Sequence, residues 1–364
     1  MSRPTPPLSR LRPILAELKA YTVPAAPPPV KLDANESPWP LAETVRRSIA
    51  DAVASLPFHR YPDGRATGLR RALARHLDAD GDELILGAGS DEVIAILLQA
   101  FMTPHEGRAP VVLFPGPSFV MYRISALTHG YEPVEVPLDA DFALDPAAMH
   151  AAFRDHAPAL AFYATPNNPT GNPYDEAVLR DLVASYPDTL HIIDEAYGPF
   201  ARQRPEDRAH TLSPWLAEHG NVAVMSTLSK IGLAALRLGW LRAHPALVHE
   251  LEKARQPFNL SATAQIAAQV VLEQHGDAVE EAIRAVVAER EVLSAGLAER
   301  GLDPRPSQAN FVLARLPASR KEPLLAQGVA LRFFSDPRLD GWARVTVGTP
   351  AETRALFAAL DATG

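Results

Sequence analysis

The chain reads as an α/β protein, with a large domain built on a mostly parallel sheet between helices and a smaller α+β domain after it. Three observations predict this. From Glu83 onward short apolar runs alternate with amphipathic stretches, the βαβ rhythm of a parallel sheet under helices. Most of these runs end in turns carrying Gly, Pro, Asn or Asp, the position where open α/β sheets place their ligands. And 364 residues suffice for two cores, giving an expected division into an N-terminal arm at 1–40, a large domain at 41–254 and a small domain at 255–364.

Residues 1–30 are Pro-rich, ending in Pro24-Ala25-Ala26-Pro27-Pro28-Pro29, and are expected to be extended and poorly suited to a packed core. Lys31-Leu32-Asp33-Ala34-Asn35-Glu36-Ser37-Pro38 is a polar loop before a helix expected from about Leu41. In His59-Arg60-Tyr61-Pro62-Asp63-Gly64 the Pro and Gly set a sharp turn that presents Tyr61 outward, ordinarily as plain surface.

Residues 84–86 form the first strand of the βαβ region, Gly87-Ala88-Gly89-Ser90 a tight loop, and Asp91 onward a helix. Glycines leave that backbone approachable and the helix start supplies free N–H groups, so the junction suits a phosphate, although Ser90 and Asp91 serve equally as caps. Strand 111–114 runs into Pro115-Gly116-Pro117-Ser118-Phe119, and Phe119 is either core or a face for a flat ring. Strand 159–164 ends in Thr165-Pro166-Asn167-Asn168-Pro169-Thr170-Gly171, a loop whose prolines and glycine turn Asn168 into a positioned hydrogen-bonder.

Strand 190–193 ends abruptly at Asp194-Glu195-Ala196-Tyr197, where a carboxylate is costly to desolvate unless a cation meets it. Strand 222–225 leads into Ser226-Thr227-Leu228-Ser229-Lys230, and an amine just past a strand end condenses with a carbonyl once desolvated. The five strand ends that carry Gly89-Ser90-Asp91, Phe119, Asn168, Asp194 with Tyr197, and Lys230 with Arg237 read as consecutive, a further strand spans 238–241, and from about Arg255 the chain reads as long and helical to Arg300, where Gly301 stops it. Strands 310–314, 329–333 and 342–347 then alternate with helices and place Arg332 and Arg344 in strands. An arginine there is either an anion-clamping fork or an edge guard.

A net charge of -8, from 35 Lys+Arg against 43 Asp+Glu without a basic block, argues against a nucleic-acid surface. Cysteine is absent, so disulfides, thiolate catalysis and cysteine metal sites are excluded, and no metal is expected. The longest apolar run, 93–102, is broken by Gln99 and falls short of the roughly 20 residues of a membrane helix. The first residues lack the apolar segment of a secretory signal, so a soluble, cytoplasmic protein without membrane partners is expected.

The motifs LDANESP, RYPDG, GAGSDE, PNNPTG, DEAY, TLSK with LRLG, NF and RVTVG occur in this order. Over nearly the whole chain this resembles the fold-type I pyridoxal-phosphate aminotransferases, and within them the histidinol-phosphate aminotransferases. The resemblance implies pyridoxal 5'-phosphate held covalently by Lys230, which would also move the proton at the substrate's Cα. It implies that Asp194 pairs with the pyridine nitrogen, that Asn168 and Tyr197 bond the ring's 3-oxygen, and that Phe119 stacks on the ring. Ala88, Gly89, Ser90, Thr227, Ser229 and Arg237 would hold the phosphate, with Tyr61 reaching it from the neighbouring subunit of a homodimer. Arg344 would clamp the substrate carboxylate with Asn35 nearby, and Arg332 and Tyr21 would read the substrate's own phosphate. The implied reaction exchanges L-histidinol phosphate and 2-oxoglutarate for imidazole-acetol phosphate and L-glutamate, in histidine biosynthesis.

Two departures stand out: Phe119 occupies a position that is often Tyr, and Arg237 follows Lys230 at one residue fewer than in many members. The rival readings are an aromatic aminotransferase, which has no need of Arg332, and a lyase of the threonine-phosphate decarboxylase type. A non-catalytic effector-binding module is the rival of a different class.

Overall fold

The computed structural model describes residues 8–18, 28–103 and 107–363, and two sheets organise them. The larger is made of β2 (Leu84–Gly87), β3 (Val111–Gly116), β4 (Glu132–Pro137), β5 (Leu160–Ala164), β6 (Leu190–Asp194), β7 (Val222–Thr227) and β8 (Gly239–Ala243), following β1 (Val30–Leu32) in the chain. Its order is β2-β8-β7-β6-β5-β3-β4, and β8 alone runs antiparallel to its neighbours. The carboxyl ends of β2, β3, β5, β6 and β7 therefore open on one edge of the sheet.

Alternation along each central strand builds a core on both faces. In β5, Leu160, Phe162 and Ala164 pack with Val93, Ile94 and Leu97 of the helix Ser90–Ala100, while Ala161 and Tyr163 face Met149, Phe153 and Leu182 of the helices Pro146–His156 and Glu176–Ser185. Apolar burial on both faces leaves the loops at the strand ends as the available polar edge.

The smaller sheet has the order β1-β10-β11-β9, with β9 at Phe311–Arg315, β10 at Val329–Phe333 and β11 at Trp342–Thr346. Val30–Leu32, inside the stretch expected as an arm, pairs in parallel with Val329–Leu331. Three further expectations are corrected. Residues 255–300 hold two helices, Ala262–Gln274 and Gly276–Glu299, interrupted at His275. Only the short turn Pro337–Leu339 separates β10 from β11, where a helix was expected. The strand ends that carry the motifs are not consecutive, because β4 intervenes between β3 and β5. With two prolines and mostly half-exposed side chains, β4 lacks the apolar alternation of an inner strand and sits at the sheet edge, where missing N–H donors are tolerated.

Candidate active site

The loops at these strand ends surround an open cleft. Ser90, Phe119, Asn168, Asp194, Tyr197, Thr227, Ser229, Lys230 and Arg237, all singled out from the sequence, line it together with Asp91, Ala164 and Ala196.

One part of the cleft is an anion cradle. The helix beginning at Ser90 presents its amino end there, after Gly89 at φ +83°. That positive φ strains any side chain at Gly89, and a Cβ there would also have to displace the tip of Arg237, whose Nη2 would lie 2.7 Å away. A Cβ on Gly239 would stand 2.4 Å from the Ser90 backbone nitrogen, so the first helical turn rests directly on β8. The Thr227 and Ser229 hydroxyls lie 2.8 Å apart, and Thr227 Oγ1 also accepts from the Ser229 backbone N–H at 3.1 Å. Arg237 bonds Asp91 Oδ2 at 3.0 Å and is half exposed. Short 3-10 turns at Leu228–Lys230 and Ala234–Leu236, followed by Arg237 at φ +48°, take up the shorter spacing and still bring the guanidinium to the cradle. The Ala88 N–H is taken by the Glu92 carboxylate, which leaves Ser90 as the part of the Ala88-Gly89-Ser90 loop that lines the cleft.

Elsewhere in the cleft lies the buried acid. Asp194, 4 % exposed, accepts from the Ala196 N–H at 3.0 Å and from the Tyr122 hydroxyl at 2.6 Å. Burial pushes its pKa up to about 6, against the Tyr122 and Ala196 hydrogen bonds and the nearby Lys230, which lower it. Two local donors and one amine thus compensate the buried charge only in part, and a cationic ring nitrogen facing the carboxylate would complete it. Glu195, next in the chain, points away and accepts from Thr211 Oγ1 and the Leu212 N–H, with burial pushing its pKa up to about 7.

The loops after β3 and β5 are tied together through Asn167, which accepts from Ser118 Oγ at 2.8 Å and donates to Pro117 O and Thr170 Oγ1. That lock sets Phe119 and Asn168 relative to each other. Arg344 Nη1 donates to Asn168 Oδ1 at 2.6 Å and Nη2 to Asp33 O at 2.8 Å. The Asn168 carbonyl oxygen being engaged, its amide nitrogen is the group free to act as donor in the cleft.

Tyr197 is held in the same manner. Its hydroxyl accepts from Asn35 Nδ2 at 2.8 Å, so its own proton is left to donate, and its ring meets Phe311 edge-on at 5.0 Å. Asn35, at φ +55° and 2 % exposed, is fixed by Thr346 and Asn310. Lys230 Nζ lies 5.7 Å from the Tyr197 ring centroid.

Arg332 and Tyr61 are not brought to the cleft. Arg332 is exposed on β10, directly opposite Arg344 in the antiparallel ladder and on the same face. Tyr61 is 83 % exposed and stacks on Phe258 at 4.8 Å. Tyr21 lies outside the described residues. Tyr122, whose hydroxyl reaches Asp194, was not singled out from the sequence, where its place three residues after Phe119 was the available signal.

A mostly parallel sheet whose strand ends gather an amine, a buried carboxylate, a flat aromatic and an anion cradle is the architecture of fold-type I pyridoxal-phosphate enzymes, and these residues fit that cofactor. The chain belongs to the aminotransferase class I and II family, whose model matches residues 27–360. It is 41% identical to a histidinol-phosphate aminotransferase of Methylibium petroleiphilum, over 98% of this chain and 95% of that one. It is 39% identical to histidinol-phosphate aminotransferase 1 of Burkholderia lata, over 98% of each. Among solved structures, the histidinol-phosphate aminotransferase of Sinorhizobium meliloti in complex with pyridoxal-5'-phosphate superposes with a TM-score of 0.85 at 25% identity, covering 98% of this chain and 97% of that one.

Proposed function

We propose that this protein is a transaminase interconverting L-histidinol phosphate and imidazole-acetol phosphate, with 2-oxoglutarate and L-glutamate as the second pair, in histidine biosynthesis. Likeness to relatives so named over almost the full chain supports this. The observation that carries the substrate class is the facing pair Arg332 and Arg344. Like charges directly opposite in a ladder are unfavourable, and anionic groups on one substrate relieve them. Arg344, largely buried and bonded to Asn168, is the carboxylate clamp for the amino acid partner, with Asn35 beside it. The exposed Arg332 reads the distal anion, a phosphate monoester in one half-reaction and a carboxylate in the other, with Tyr21 as a second reader.

Pyridoxal phosphate, when bound, supplies a protonated ring that accepts the electron pair left at the substrate's Cα. Lys230 would anchor it and, with its amine free, would take up the proton at the substrate's Cα and later return it as general acid. Asp194 would keep the ring nitrogen protonated, Tyr197 and Asn168 would donate to the ring's 3-oxygen, and Phe119 would stack on the ring. Ser90, Thr227, Ser229 and Arg237 would hold the phosphate group, with Gly89 leaving the approach beside Arg237 open.

The same reading places Tyr61, turned outward on its Phe258 stack, at the partner subunit's phosphate cradle in a homodimer. It keeps the division at 41–254 and 255–364 around the cleft and a cytoplasmic location. No described helix is long and apolar enough to cross a membrane. A coupled assay tests the proposal: glutamate forms from 2-oxoglutarate when L-histidinol phosphate is the donor. Brisk turnover of phenylalanine with none of histidinol phosphate would sink it, and carbon dioxide release from threonine phosphate would favour the lyase.

A further inference from the structure

Tyr122 lies at the start of the helix Met121–His129 and is 1 % exposed. Its ring is wedged among three others: stacked on Phe162 at 4.9 Å, tilted against Phe114 at 5.9 Å, and edge-on to Phe119 at 5.5 Å and 87°. With the ring so fixed, the hydroxyl donates to Asp194 Oδ2 at 2.6 Å. One tyrosine therefore stands behind both the buried acid of the cleft and its flat aromatic.

We propose that Tyr122 is a positioning residue for transamination, its hydroxyl holding the Asp194 carboxylate charged and aimed while its ring fixes the pitch of Phe119. The inference rests on reading Asp194 as the acid facing the cofactor's ring nitrogen. A donor into a carboxylate favours the charged form, and in a buried site the effect is strong. Burial holds the Tyr122 phenol well above its ordinary pKa, so the shared proton stays on tyrosine. The other groups around this pair are Lys230 from the loop after β7, Asp91 from the helix Ser90–Ala100, Glu195 next in the chain, and Tyr174 and Tyr197, which act on Tyr122. Of these Lys230 favours the carboxylate and Asp91 opposes it. Lys230 is also the group whose proton moves during the reaction, whereas the phenol is a donor that does not change between half-reactions.

The variant Tyr122→Phe keeps the ring contacts and removes only the donor. Expected are a kcat lower by about ten- to a hundredfold with KM changed by less than about threefold, the range of one hydrogen bond to a charged group. The acid limb of cofactor affinity, followed by absorbance, moves to higher pH. In an Asp194→Asn background, removal of the hydroxyl changes cofactor affinity by less than about twofold, because the coupling partner is gone. A kcat and acid limb unchanged by Tyr122→Phe would overturn the proposal, as would an equal loss in the Asp194→Asn background. Loss of the folded state by circular dichroism would also overturn it, since the bond would then be structural. If the parent protein itself bound no pyridoxal phosphate, the reading of the cleft would fail and not this inference alone.

Discussion

Arg344, on the small sheet, donates to Asn168 Oδ1, on the large sheet, at 2.6 Å. One guanidinium thereby orients the Asn168 amide, and in the proposed function it would also clamp a substrate carboxylate. Arg344→Lys keeps the charge but loses the fork. We expect kcat/KM to fall by about 10- to 100-fold for glutamate and 2-oxoglutarate, mostly in KM, as fits one or two lost charge-assisted bonds, and to fall less for histidinol phosphate, which carries no carboxylate. Steady-state kinetics with glutamate and with histidinol phosphate check this. Arg332→Gln, by contrast, is expected to raise KM while leaving cofactor affinity unchanged.

Lys230 is the covalent anchor of the proposed chemistry. Borohydride reduction of the protein after incubation with pyridoxal phosphate should leave a mass adduct on the peptide containing Lys230, and none in Lys230→Ala. Turnover in that variant is expected to drop by at least about 10²- to 10⁴-fold, the contribution of a positioned general base. An adduct on another lysine with activity retained would refute the assignment.

The pKa values of Asp194 and Glu195 stand at about 6 and about 7, above their ordinary 3.8 and 4.5. Between these limits the folded, cofactor-free protein binds more protons than the unfolded chain, so these two groups make stability fall as pH rises from about 4 to about 7. The contribution is complete below the ordinary values and gone above the raised ones. Glu195→Gln should flatten the slope of melting temperature against pH at the upper end, and Asp194→Asn at the lower. With cofactor bound, the Asp194 part should vanish while the Glu195 part persists.

At Gly239 a methyl group would meet the Ser90 backbone nitrogen at 2.4 Å, and backbone cannot yield as a side-chain tip can. Gly239→Ala is expected to cost about 1–3 kcal/mol of stability by overpacking, and to weaken cofactor affinity because the helix start is pushed into the cradle. Urea denaturation and cofactor titration measure the two effects separately.

Much of the large sheet was readable because its strands are short apolar runs buried on both faces and ended by unmistakable turns, as at Ile193-Asp194 and Met225-Ser226. The site was readable for the same reason, its residues clustering at those ends. What escaped depends on long-range pairing. Val30–Leu32 is a strand only because β10 receives it, and nothing local separates Val-Lys-Leu from the prolines before it. The double role of Asn35, between Tyr197 and Thr346, spans separations of 162 and 311 residues that no local pattern encodes. Tyr122 escaped because an aromatic in a helix facing a sheet looks like packing until its hydroxyl is followed.

The segment just after β1 is where the two sheets are sewn together. Asp33 offers its carbonyl to Arg344, and Asn35 holds the Tyr197 hydroxyl while Asn310 holds the Asn35 carbonyl. An engineered deletion that trimmed the proline-rich leader a few residues too far would therefore behave as an active-site lesion.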